Sequence, residues 1–216
     1  MKKMGQIRQV VRHGELTVVP VVHRVIPAQG GQTATTELSI DMESAPIPTR
    51  RYTANSATAR LQSETVQFIF AQRKIVGTGL RSLVAVSISF EAIAWFRRSY
   101  SNMLPSLRKV AKEKSIQRPD PLDLGNEEPG QAVEMTANLI AIAFVGRDAC
   151  IDLYSASPFS FRALRNNGAE LPIEPLLRVD LTSGALLSMV EELEAFAAQL
   201  PVDSDNGSEE HETEGK

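Results

Sequence analysis

The feature that most constrains this chain is an internal repeat. Thr53-Ala54-Asn55 recurs as Thr136-Ala137-Asn138, a shift of 83 positions. At the same shift Val66-Gln67-Phe68-Ile69-Phe70 falls on Ala149-Cys150-Ile151-Asp152-Leu153. The next loop is ten residues longer in the second copy, and at a shift of 93 residues 83–88 fall on residues 176–181. A helical stripe closes each copy. It consists of Ile93, Phe96, Tyr100, Met103 and Leu107 in the first, and of Leu186, Met189, Leu193, Phe196 and Leu200 in the second. Steps of three and four keep apolar side chains on one face of a helix. Five such side chains, at roughly 1.5–3 kcal/mol each, gain about 8–15 kcal/mol on burial. Ordering some 18 residues costs about 1–2 kcal/mol apiece. Neither helix stands alone, so each requires a sheet or its twin beneath it.

The segments before the stripes read as strands. Residues 82–89 alternate, with Leu83, Ala85, Ser87 and Ser89 on one side and Val84, Val86 and Ile88 on the other. Residues 64–71 place Val66, Phe68 and Phe70 on one face. In the second copy residues 139–145 and 149–154 form strands around a Gly146-Arg147-Asp148 turn, a hairpin signal. Arg178 is the one basic residue inside these strands. Ser89, and Thr182 or Ser183, are the expected N-caps, with Glu91 suited to a first turn. Pro105 predicts a kink or an end near Leu104. The two Asn residues of the Thr-Ala-Asn sequences are expected to serve turns or strand entries, because Asn bonds to nearby backbone with its side chain.

The organisation follows. Residues 1–50 form an N-terminal extended arm or hairpin, valine-rich over 15–26 and alternating over 36–42, around a Gln29-Gly30-Gly31-Gln32 turn; it is expected to extend the sheet of one copy. Residues 51–114 are the first β-β-β-α unit. A linker rich in Pro and Gly follows at 115–133, then the second β-β-β-α unit at 134–202. The tail, 203–216, has six acidic residues and no large apolar one, and is expected to be disordered because it has too little surface to bury.

Charge is unevenly distributed. Residues 1–118 hold 18 Lys/Arg against 7 Asp/Glu, and residues 119–216 hold 5 against 19. Such asymmetry fits a nucleic-acid face with an acidic tail, or two halves that attract each other. The candidate partner-binding residues are Arg73, Lys74 and Arg81, around Gly77-Thr78-Gly79, and Arg97 and Arg98, which precede the basic run at residues 108–114. The Gly-Thr-Gly segment lacks the spacing of a phosphate loop and precedes a strand rather than a helix, so it reads as a hairpin loop. Trp95 and Tyr100 lie near Arg97 and Arg98, and single-strand binding combines such cations with exposed aromatics.

No catalytic, cofactor or metal site is expected. The three histidines, His13, His23 and His211, have no metal-ligand spacing. Cys150 is the lone cysteine, which forbids an intrachain disulfide. Neither repeat holds a His to activate it, so a buried structural cysteine is expected. No stretch approaches the roughly 20 apolar residues of a membrane span, and the chain reads as cytoplasmic with no membrane partner.

Tyr52-Thr53-Ala54-Asn55, residues 66–70 and residues 83–107, with Thr136-Ala137-Asn138 and residues 176–200, carry a resemblance over about 120 of the 216 residues. They resemble small bacterial domains of SecB-like topology, here as a tandem duplication. The resemblance implies an antiparallel sheet covered by helices, and a peptide-binding or adaptor role as in export chaperones. The expected fold is α+β, with two tandem β-meander-plus-helix units forming an intrachain pseudo-dimer. The expected function is a non-enzymatic protein-interaction module, an adaptor or SecB-like chaperone subunit, with a polypeptide partner or a homo-oligomer. The alternative is nucleic-acid binding by the basic N-terminal half.

Overall fold

The computed structural model describes residues 17–26, 35–73, 79–116, 132–165 and 168–196. In chain order these form β1 (Thr17–Ile26), β2 (Thr35–Ile40), a 3-10 turn (Met42–Ser44), β3 (Arg51–Thr53), β4 (Ser56–Leu61), β5 (Thr65–Arg73), β6 (Leu80–Ser89), α1 (Phe90–Glu113), β7 (Val133–Ala137), β8 (Leu139–Val145), β9 (Asp148–Ala156), α2 (Pro158–Arg165), β10 (Glu170–Thr182) and α3 (Ser183–Phe196). The fold is α+β with mostly antiparallel sheets. One sheet has the order β2-β1-β10-β9-β8, with β3 also paired to β10, and the other has the order β4-β5-β6-β7. The Gln29–Gln32 turn, the linker after residue 116 up to residue 131 and the acidic tail lie outside the described residues, as do His13, His211 and Leu200.

The chain divides into two compact units, each with its own packing. The first comprises the described parts of Met1–Tyr52, Ala137–Ala141 and Ile151–Val179. Its core gathers Val19, Val21, Leu139, Tyr154, Ala156, Leu164, Leu171 and Ile173, with Phe161 packed against it. Alternation puts Val19 and Val21 inside and leaves Val18 and Val22 exposed. The first half of β1, Thr17–Pro20, lies on β10, and the second half, Val21–Ile26, lies on β2. Pro20 sits at the change of partner, opposite Asp41 in the β1–β2 register; its carbonyl accepts from Asp41 N–H at 3.0 Å, and the proline returns no bond, so the ladder ends there. The connection between β9 and β10 folds as α2, whose Leu164 is buried.

The second unit comprises the described parts of Thr53–Thr136, Ile142–Cys150 and Asp180–Lys216. Cross-strand pairs Val66–Ile88, Phe68–Val86 and Phe70–Val84 bring the apolar faces of β5 and β6 together. Phe68 meets Phe70 and Phe96 edge-on, at 6.4 and 6.3 Å between ring centroids, and Phe96 meets Tyr100 at 4.9 Å. The opposite face of β5 is closed as well, since Gln67, Ile69 and Ala71 are buried. A strand with neighbours on both edges and cover on both faces loses the simple one-sided pattern.

The two long helices differ. In α1 the buried residues Ile93, Phe96, Tyr100, Leu104 and Leu107 form one stripe. In α3 nearly every residue from Ser183 to Val190 is buried, because it packs on both α1 and β4. The small side chains of β4, Ser56-Ala57-Thr58-Ala59, let α3 approach closely. The helix α1 continues through Pro105 to Glu113 rather than ending at Leu104. An interior proline costs about 3 kcal/mol. Burial of Leu104 and Leu107 on either side, at roughly 1.5–3 kcal/mol each, offsets it.

Several local bonds recur at shifts of 83 and 93 positions. Asn55 Oδ1 accepts from Arg73 N–H at 2.9 Å, and Asn138 Oδ1 from Ala156 N–H at 2.8 Å, both 18 residues on. Asn55 N–H donates to Ala71 O, and Asn138 N–H to Tyr154 O, both at 3.1 Å. Each Asn thus ties the start of one strand to the end of the next. Ser89 Oγ accepts from Ala92 N–H, and Thr182 Oγ1 from Ala185 N–H, capping α1 and α3 at the same offset. The short strand before each hairpin pairs elsewhere: β3 joins β10, and β7 joins β6.

Candidate functional site

The edges of the two sheets differ in how they are closed. Strand β4 ends its sheet, so alternate backbone N–H groups point away from β5 and need partners. Glu192 of α3 supplies one: its Oε2 accepts from Ala59 N–H at 2.7 Å and from Thr58 Oγ1 at 2.8 Å. Burial pushes the Glu192 carboxyl above its ordinary range, and the two bonds only partly counter this.

Strand β8 ends the other sheet, with β9 on one side and no strand on the other among the described residues. Its sequence, Leu-Ile-Ala-Ile-Ala-Phe-Val, has no charge, no polar side chain, no proline and no glycine. Leu139 and Ile140 are buried, Ile142 and Phe144 half-buried, Ala143 exposed, and Val145 is 82% exposed. Other strands at sheet ends carry charge: Glu37 belongs to β2, Arg60 to β4 and Glu134 to β7. Charge is the usual protection of an edge, and β8 lacks it.

The basic residues singled out in the sequence do not converge. Arg73 and Arg81 are exposed near the end of the β5–β6 hairpin. Arg73 stands opposite Leu80, and Arg81 opposite Gln72, so the two arginines leave opposite faces of the sheet. Lys74, Gly77 and Thr78 lie outside the described residues. Arg97 on α1 pairs with Glu194 on α3 at 3.5 Å, and Arg108 with Glu191 at 3.2 Å. Arg98 is exposed on the same helix. Part of the basic helix face thus has acidic partners within the unit.

Under that face lies Tyr100, 1% exposed. Its hydroxyl closes no hydrogen bond of good geometry. Burial first, then the nearby Glu194 carboxylate, hold the phenol well above its ordinary range.

The remaining candidates lie on the sheet that ends at β8. His23 Nε2 donates to Gly168 O at 2.7 Å, tying β1 to the loop before β10. Cys150 is half-buried rather than fully buried, because its neighbours Ala149 and Ile151 take the inner face of β9. Sequence reasoning missed the Asp152–Arg178 pair across β9 and β10, with bonds of 2.6 and 2.5 Å; its one signal was a lone arginine in a strand. Among the described residues no cluster of His, Cys, Asp or Glu is placed to hold a metal ion, and no helix is long and apolar enough to cross a membrane. No family model, curated protein or solved structure matches the chain.

Proposed function

We propose that the chain is a tandem pair of SecB-like β-β-β-α units, joined as an intrachain pseudo-dimer, and that it acts in the cytoplasm as a non-enzymatic protein-interaction module of adaptor or chaperone type. The matched Asn bonds at a spacing of 83 and the matched helix caps at a spacing of 93 support the duplication. So does the reciprocal pairing of β3 with β10 and β7 with β6, in which each copy lends its leading strand to the third strand of the other.

The observation that carries the function is β8. A charge-free edge with exposed apolar side chains is a template for an added strand. Main-chain bonds along the open edge supply affinity, and alternate side chains select an apolar sequence. The test is fluorescence anisotropy with a labelled, extended, apolar peptide. Binding is expected to be insensitive to salt and at least tenfold weaker in Val145→Lys. Absence of binding to any extended polypeptide, itself included, overturns the reading.

Nucleic-acid binding is the second reading, favoured by the exposure of Arg73 and Arg81. It requires affinity that falls steeply with salt, and loses ground because Arg97 and Arg108 already face carboxylates. A gel shift at low salt with Arg73→Glu and Arg81→Glu separates the two.

A further inference from the structure

We propose that β8 pairs antiparallel with β8 of a second copy of this chain, closing an isologous dimer through one continuous sheet. The proposal rests on the reading of β8 as a strand-accepting edge, and names the strand it accepts.

Three observations select a second copy. First, isologous pairing sets each residue opposite another residue of the same strand, so any charge near the axis meets its own like. Like charges directly opposite each other are destabilising. The seven residues of β8 contain none, whereas Glu37, Arg60 and Glu134 mark the other sheet ends. Second, exposure rises along the strand toward Val145, which places the axis in the second half, between Ile142 and Phe144. Apolar side chains there gain cover on both faces of the sheet. Third, β4, the strand at the matching place in the first copy, already has an outward N–H engaged. Residue 59 corresponds to residue 142 at the 83-residue shift, and the Ala59 N–H is taken by Glu192. A strand edge paired about a two-fold axis closes the assembly at a dimer.

The experiment is sedimentation equilibrium on the full chain across a concentration series, with Ala143→Lys as the main variant. Ala143 is exposed, so the lysine leaves the fold intact, and circular dichroism checks this. The expected result is a wild-type dimer and at least a tenfold weaker association in Ala143→Lys, with Val145→Lys behaving alike. A second measurement fixes geometry. Single cysteines are placed in turn at positions 141–145 in a Cys150→Ser background and oxidised. Cross-strand disulfides need close Cα atoms, so covalent dimer should peak at 142–144 and fall on either side.

A wild type that stays monomeric overturns the proposal, as does a dimer untouched by Ala143→Lys or cross-linked equally at all five positions. If that monomer still binds the extended peptide, the reading of β8 as a strand-accepting edge stands and only its self-pairing fails. If it binds no peptide, both fall.

Discussion

Asp152 and Arg178 form a two-bond ion pair across β9 and β10, with side chains only 10% and 17% exposed. At the sequence shifts of 83 and 93 these positions fall on Ile69 and Ala85, which are direct cross-strand partners on β5 and β6 and almost fully buried. One pair of positions thus holds a salt bridge in one sheet and an apolar contact in the other. Breaking a buried pair by removing one member costs about 3–5 kcal/mol, whereas replacing both with apolar groups is often neutral or stabilising. Asp152→Ala is therefore expected to destabilise by about 3 kcal/mol or more. The double change Asp152→Ile with Arg178→Ala should recover most of that loss. Urea unfolding of the two variants decides it; a double variant as unstable as the single would show that the sites are not interchangeable.

The two repeated asparagines differ in exposure. Asn138 makes two side-chain bonds, to the N–H and the carbonyl of Ala156, and is half-buried, while Asn55 is exposed and its side chain accepts from Arg73 N–H. Leaving a buried backbone group unpaired costs about 1–3 kcal/mol, and water replaces a lost partner at an exposed one. Asn138→Ala is expected to cost about 1–3 kcal/mol by that principle, and Asn55→Ala less than about 1 kcal/mol. Denaturant midpoints for both check the order.

Much of this was legible before the structure. Alternation placed β6, the Gly146-Arg147-Asp148 turn placed the β8–β9 hairpin, and side-chain oxygens just ahead of an apolar stripe marked Ser89, and Thr182 or Ser183, as caps, of which Thr182 makes the bond to Ala185 N–H. Features fixed by distant partners were not legible. A three-residue strand such as β3 has no periodicity to read, and nothing in its sequence names β10 as its neighbour. The composition of β8 was plain, but its place at a sheet edge depends on strand order. Glu192 reads as one more acid on a helix until β4 brings an unpaired N–H to it. Of the basic candidates, Arg97 was visible as a cation, yet its partner Glu194 lies 97 positions away.

Pro105 interrupts α1 on its exposed side. Its ring denies Ser101 O the usual i→i−4 partner, and the helix persists because flanking leucines are buried. Pro105→Ala restores the N–H without touching the stripe. The expected gain is about 1–3 kcal/mol, reduced somewhat because alanine frees the unfolded chain. Thermal unfolding should shift upward; an unchanged or lower midpoint would mean that the backbone around residue 105 is bent to suit proline.

Glu192 gives the fold a dependence on pH of definite sign. Its carboxyl titrates above its ordinary range in the folded chain, so the folded state binds this proton more tightly than the unfolded state. Stability from this group is full below the unfolded value near 4.5 and is lost as pH rises through the folded value. A glutamine at this position would keep an acceptor for Ala59 N–H and Thr58 Oγ1 yet carry no charge to desolvate. Glu192→Gln is therefore expected to flatten the fall in stability above pH 4.5 and to leave the variant at least as stable as the wild type at neutral pH. Midpoints of urea unfolding measured from about pH 4 to about pH 8 for both proteins test the sign. A wild type that gains stability relative to Glu192→Gln as pH rises would mean that the ionised carboxylate is the form that holds α3 on β4.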